Sequence, residues 1–280
     1  MKEKMNEKAK RKVPIRRLIV KVGTANLCNQ SGQLIQDIFN DFARQVVELM
    51  ERGVEVIIVS SGAIKSGRER MESLGLDITA LDKKDLAGIG ARHLMNRWGE
   101  AFEIHGKEVG QVWVTFGNWA NEGERESIQA SIFDYLNSGV VIPVVNEADV
   151  VSDREIKLME KGFSENDRLA KMIASLTNAD AVLFLTDEGG IYAENPKINP
   201  QARMYEEISA RTKPELIDVS SGTSKTGTGG MIAKWREASR CAKKGMLVAI
   251  AGNEENVILR FVRGESVGTR IGTATKLKQE

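Results

Sequence analysis

The sequence predicts an α/β fold, a three-layer αβα sandwich with a mainly parallel central sheet, and three observations lead there. Short β-branched runs alternate with longer stretches of helical spacing from Leu18 onward, the pattern of a parallel sheet covered by helices. The apolar runs are continuous, as in Val140-Val141-Ile142, which suits strands buried on both faces. Glycine-rich or polar turns follow the strands, where open parallel sheets bind their ligands.

The β-branched runs place strands at Leu18 to Val22, Val54 to Ser60, Val109 to Thr115, Val140 to Val145, Ala181 to Thr186 and Met246 to Ala251. Between the first two, Ile38, Phe42, Val46, Leu49 and Met50 recur at helical spacing, and Arg52-Gly53 reads as a helix end. Further helices are expected near Gly62, over Lys83 to His105, Arg125 to Asn137 and Asp167 to Thr177, and from Gly230 to Lys244, stopped by Gly245. No Pro- or Ser-rich linker divides the chain, so two lobes would share one sheet.

A chain of 280 residues with 41% hydrophobic and 28% charged residues can bury a sizeable core and is not disordered as a whole. The net charge of +1 gives no global field for nucleic acid or an anionic membrane, so any anion site must be local. Residues 1–17 hold eight basic residues against Glu3 and Glu7 and read as a solvated, frayed tail. No run approaches the roughly 18 apolar residues of a membrane span. Cys28 and Cys241 fit a reduced cytoplasmic protein better than a disulfide framework.

Several chemistries are excluded by inspection. The first turn lacks Gly-x-Gly-x-x-Gly, and no Gly-x-Ser-x-Gly elbow occurs. His93 and His105 have no zinc-ligand spacing. Trp98, Trp113, Trp119 and Trp235 are scattered and read as packing residues, not as a base-stacking platform.

The turns after the strands carry the chemistry. Lys21-Val22-Gly23-Thr24-Ala25-Asn26 and Ser60-Ser61-Gly62-Ala63 let backbone N–H groups approach an anion, although an N-capping serine explains the second equally well. Asn146-Glu147-Ala148-Asp149 sets polar side chains at the edge of the fourth strand, and Asn166-Asp167 opens a helix, as a cap or as ligands. Thr186-Asp187-Glu188-Gly189-Gly190 follows the fifth strand. The stretch from Ser221 through Gly227, Thr228, Gly229, Gly230 and Met231, with Lys234 about one turn into the next helix, reads as a backbone nest for phosphate or as a plain surface loop. It is not a Walker A loop, because Thr228-Gly229 stands where Lys and Ser or Thr are required.

Taken in order, these motifs resemble the amino acid kinase family over Leu18 to about Thr273, and within it the branch that phosphorylates the side-chain carboxylate of L-glutamate. The resemblance implies ATP with Mg²⁺, catalytic Lys21, Lys234 and Asp167, and a glutamate site at Ser61, Gly62, Asp149 and Asn166. It implies a nucleotide site at Lys21, Thr186, Asp187, Gly227, Thr228, Gly229, Gly230, Met231 and Lys234. No residue is assigned to a metal. It further implies an acceptor lobe over 18–178, a nucleotide lobe over 179–280, a homo-oligomer, and proline as a feedback inhibitor. The additional C-terminal RNA-binding-like domain of many relatives is not expected after Thr273.

The chain departs from that pattern at Ala25, where the family usually has Ser. It also reads Phe116-Gly117-Asn118-Trp119-Ala120 and Gln129-Ala130-Ser131 where an Arg-containing acidic stretch and Asn-Ala-Arg are common. These departures keep two alternatives open, a sister kinase acting on another carboxylate, carbamate or phosphate, and a nucleotide-binding relative without catalysis.

Overall fold

The computed structural model describes residues 15–150, 165–214, 217 and 230–273, with the side chains of Phe116, Glu165 and Gly230 excepted. Eight strands form one sheet in the order β3-β4-β2-β1-β5-β7-β8-β6. They are β1 (Arg17–Val22), β2 (Glu55–Ser60), β3 (Glu108–Val114), β4 (Val141–Glu147), β5 (Ala181–Leu185), β6 (Glu207–Ser209), β7 (Leu247–Ala251) and β8 (Thr269–Gly272). All neighbours run parallel except β7 and β8, so β6 and β8 oppose the other six.

Burial on both faces follows from the strand period of two. Leu18, Val20 and Val22 of β1 enter one core, with Phe39, Phe42 and Val46 of α1 (Gln36–Glu51), Leu94, Trp98 and Phe102 of α3 (Lys83–Glu103), and Val257 and Phe261. Ile19 enters the other, with Ile132 of α5 (Glu122–Ser138), Leu169 and Ile173 of Glu165–Leu176 (here α6), and Trp235 and Ala238 of Gly230–Lys243 (α7). The result is the expected αβα sandwich.

Each of the six expected strands is present, with no end shifted by more than two residues. β1 begins at Arg17, and the structure supplies the reason. The Arg16 and Arg17 amides both donate to Asp180 Oδ2 at 2.8 Å, the Arg17 guanidinium pairs with Glu55, and it lies 4.8 Å above the Phe133 ring. Residues 1–14 of the expected tail lie outside the described residues.

Beyond the expected elements, the structure adds β6, β8 and the helices Phe116–Ala120 (α4) and Val257–Arg263 (α8). Trp98 and Trp235 pack as expected, but Trp113 stands 41% exposed on the edge strand β3. Both cysteines are free thiols. Among the described residues no helix is long and apolar enough to cross a membrane.

Candidate active site

Lys21 is the fifth residue of β1, and the side chain that follows Ile19 on the same face points toward the helices of the second core. Asp167 is the third residue of α6, a helix held to the sheet by Leu169, Ala170 and Ile173. Lys234 lies one turn into α7, seated by its neighbours Trp235 and Ala238. These elements bring the three side chains together. Lys21 Nζ lies 2.9 Å from Asp167 Oδ1, and Lys234 Nζ lies 3.1 Å from both Asp167 oxygens.

All three are buried, at 4%, 0% and 8% exposure for Lys21, Asp167 and Lys234. Two ammonium groups on one carboxylate leave a positive charge in excess where water is scarce, which is costly unless an anion arrives. The strain registers on Lys21. Burial pulls its ammonium down to about 8, with Asp167 opposing that shift and Lys234 adding to it.

The turn after β1 is shaped around this cluster. A Cβ on Gly23 would stand 3.1 Å from Asn26 Oδ1 and 3.6 Å from Lys21 Nζ, so glycine keeps that space clear. On the next strand, Ser61 N–H donates to the Val22 carbonyl at 2.9 Å, and Trp98 Nε1 donates to Ser60 Oγ at 2.9 Å. Gly62, at φ +116°, is the N-cap of α2 (Ala63–Ser73), and no side chain caps that helix. The N-capping alternative for the serines is therefore not realised.

Helix α2 is pressed onto α3 through two glycines outside the expected site. A Cβ on Gly67 would fall 1.9 Å from the Leu86 carbonyl, and one on Gly90 1.8 Å from that of Ala63. A lone glycine inside a helical pattern is the signal that could have found them. Their contact fixes where the Ser61-Gly62 turn sits.

At the ends of β1 and β4 and the start of α6, buried polar atoms stand without partners among the described residues: both amide atoms of Asn26, Asn146 Nδ2 and Glu147 Oε1, and Asn166 Oδ1. Asp149 follows β4, and burial alone pushes its carboxyl up to about 6, with no cation among the causes. A half-buried carboxylate of this kind suits a cationic ligand group.

The opposite flank is built on β5 and β7. Thr186 N–H donates to the Ala251 carbonyl at 2.8 Å, and its hydroxyl lies 3.4 Å from Asp187 Oδ1. Gly252 N–H donates to the Gly189 carbonyl at 3.1 Å, and a Cβ on Gly252 would meet Gly189 Cα at 2.9 Å, so the two loops touch backbone to backbone. Gly230 opens α7, while Gly227, Thr228 and Gly229 lie outside the described residues. The Met231 side chain is buried in the second core among apolar neighbours.

The model of the amino acid kinase family matches residues 16–252. Among curated relatives, the chain is 37% identical over 257 residues to a glutamate 5-kinase of Dehalococcoides mccartyi, covering 91% of this chain and 68% of that protein. It is 34% identical over 255 residues to a glutamate 5-kinase of Herpetosiphon aurantiacus, with 91% and 67% covered. In fold it is similar to the UMP kinase of Bacillus anthracis (TM-score 0.65, 19% identity, 95% of this chain and 99% of that one). The UMP kinase of Ureaplasma parvum gives a TM-score of 0.61 at 15% identity, covering 93% and 100%.

Proposed function

The chain belongs to the amino acid kinase family, and from that premise we propose that it transfers the γ-phosphoryl group of ATP to the side-chain carboxylate of L-glutamate. The observation that carries this reading is the buried Lys21-Asp167-Lys234 cluster, whose excess positive charge lies beside the turns after β1 and β2. The glutamate 5-kinase relatives support glutamate as the acceptor.

The chemistry needs no general base. A glutamate side chain has an ordinary pKa near 4.3 and is already ionised and nucleophilic at neutral pH. One of its carboxylate oxygens attacks the γ-phosphorus, a new O–P bond forms, the bond to the β-phosphate oxygen breaks, and ADP leaves. Lys21 and Lys234 donate to the phosphoryl oxygens in flight, and Asp167 holds both ammonium groups in place without taking a proton. Ser61 and the N–H groups at the start of α2 hold the acceptor, Asn166 lines it, and Asp149 pairs with its α-ammonium. The acceptor side falls in 18–178 and the nucleotide side, with Thr186, Asp187 and the 227–234 stretch, in 179–280.

Mg²⁺ is part of this reading as a companion of the nucleotide. Among the described residues no group of three His, Cys, Asp or Glu side chains could hold an ion. The ion would arrive on the ATP phosphates, as is usual for Mg²⁺, where it neutralises phosphate charge. The reading also carries a cytoplasmic location, in keeping with two free thiols, self-association, and inhibition by proline, each to be measured.

Acceptor dependence tests the proposal. ADP release from Mg-ATP should rise and saturate with L-glutamate and stay at background with aspartate, N-acetylglutamate, carbamate or UMP. A protein that releases ADP with one of those and not with glutamate is a sister kinase.

A further inference from the structure

The mechanism above leaves one buried polar side chain at the end of β1 unused. Asn26 is 3% exposed, and neither its Oδ1 nor its Nδ2 has a hydrogen-bond partner among the described residues. Its backbone is fixed all the same. The Asn26 N–H donates to the Gly23 carbonyl at 3.0 Å in a 3-10 turn, Thr24–Leu27, and its carbonyl accepts from Asn253 Nδ2 at 3.4 Å. Leu27, the next residue, is fully buried in the first core and anchors the turn.

An amide buried with both ends unsatisfied is a burden on folding, since an apolar side chain of similar size would pack there without it. Such a group is expected to find its partner in a ligand. Its position says which ligand. The point a Cβ would take on Gly23 lies 3.1 Å from Asn26 Oδ1, 3.5 Å from the Leu185 carbonyl oxygen and 3.6 Å from Lys21 Nζ, so the amide and the ammonium border the same small space, with one backbone carbonyl beside them. Lys21 has three N–H donors, and Asp167 is its one ion-pair partner among the described residues.

We propose that Asn26 is a catalytic residue whose carboxamide donates through Nδ2 to the γ-phosphoryl group, beside Lys21, before and during transfer. This rests on the phosphoryl-transfer reading above. The two amide atoms exchange places by a half turn, and among the described residues no hydrogen bond opposes that turn. A neutral donor also suits the place. It adds a hydrogen bond without adding to the positive charge already in excess on Lys21, Asp167 and Lys234, so ADP and the acyl phosphate are not held by a further cation. No proton moves through Asn26.

The experiment compares wild type with Asn26→Leu and Asn26→Asp, measuring binding of Mg-ADP and of the non-hydrolysable Mg-AMP-PNP by calorimetry, steady-state kinetics, and melting temperature. The leucine variant should melt higher than wild type, because the unpaired amide is gone. It should bind Mg-ADP within about twofold of wild type, lose about tenfold in affinity for Mg-AMP-PNP, and lose about a hundredfold in kcat with little change in the glutamate KM. The aspartate variant keeps the shape but turns a donor into an acceptor, so it should lose at least as much kcat. Should the leucine substitution prevent folding, the aspartate variant carries the test alone.

The proposal is overturned if either folded variant keeps wild-type kcat together with the wild-type preference for AMP-PNP over ADP. The nucleotide comparison involves no acceptor. A protein that ignores glutamate, yet loses its AMP-PNP preference on Asn26 substitution, would refute the acceptor assignment and sustain that of Asn26.

Discussion

Lys21 and Lys234 meet on a single carboxylate, with ammonium nitrogens 2.9 Å and 3.1 Å from Asp167 Oδ1. The arrangement holds two cations against one anion in a buried place, so its members are not equivalent under mutation. Lys21→Ala or Lys234→Ala removes the excess charge and leaves a matched pair, so each variant should fold. Each should also lose about 10² to 10³ in kcat, the usual effect of removing one transition-state donor. Asp167→Ala instead strands two buried ammonium groups and should cost about 3 to 5 kcal/mol of stability. Denaturant melts and kcat on the three variants check this, and near-full activity in either lysine variant would remove that lysine from the reaction path.

The free protein should show a bell-shaped pH dependence of kcat/KM, because such profiles report the ionisations of the free enzyme. Lys21, pulled down to about 8, must keep its proton to hold a phosphoryl oxygen, so kcat/KM for ATP should fall as pH rises through about 8. Lys21→Arg, which keeps its charge, should move that limb to higher pH. The same depression should make the folded state more stable as pH climbs from about 8 toward 10.5, where the unfolded chain still binds a proton that folded Lys21 has lost. A flat profile between pH 7 and 9.5 contradicts the assignment.

Asp149 sets the other limb. With its carboxyl pushed up to about 6, it becomes neutral as pH falls through that value and can no longer pair with an ammonium. The glutamate KM should therefore rise below about pH 6, while the ATP KM changes less. Asp149→Asn should raise the glutamate KM at every pH and abolish its acid limb. Equal effects on both substrates would show that Asp149 does not face the acceptor.

The glycine contact between α2 and α3 predicts an effect at a distance. Gly90→Ala drives a methyl group into the Ala63 carbonyl, at the first residue of α2, and overpacking of this kind costs about 1 to 3 kcal/mol. The same push displaces the Ser61-Gly62 turn, so the glutamate KM should rise with the loss of stability. Gly99, on the same α3 helix with nothing within 4 Å of its Cβ position, is the control. Gly99→Ala should gain about 0.4 to 1 kcal/mol and leave KM alone. Thermal melts and substrate titrations on the two variants separate the cases.

The sequence carried the sheet because its strands are buried on both faces and write themselves as runs such as Leu18 to Val22 and Ala181 to Leu185. Lys21, Asp167 and Lys234, which the structure brings together, could be singled out in the sequence because each lies near a strand end or a helix start, the places where open parallel sheets bind ligands. The elements it missed are local exceptions. β6 and β8 have three and four residues, too short to show a period, and the apolar run of α8 reads equally well as a strand. Asn26 and the Gly67–Gly90 contact were hidden for a different reason. Their meaning lies in an unfilled bond and a backbone approach, and both appear only in three dimensions.

Transfer of a phosphoryl group to the glutamate side-chain carboxylate is measured directly by chemical trapping of the product. The protein is incubated with Mg-ATP, L-glutamate and hydroxylamine, which converts a γ-acyl phosphate into a coloured hydroxamate, with Lys234→Ala and an aspartate reaction alongside. Hydroxamate should form only with both ATP and glutamate and fall about 10² to 10³ in the variant. A folded, ATP-binding protein that yields no hydroxamate from glutamate would contradict phosphoryl transfer to glutamate.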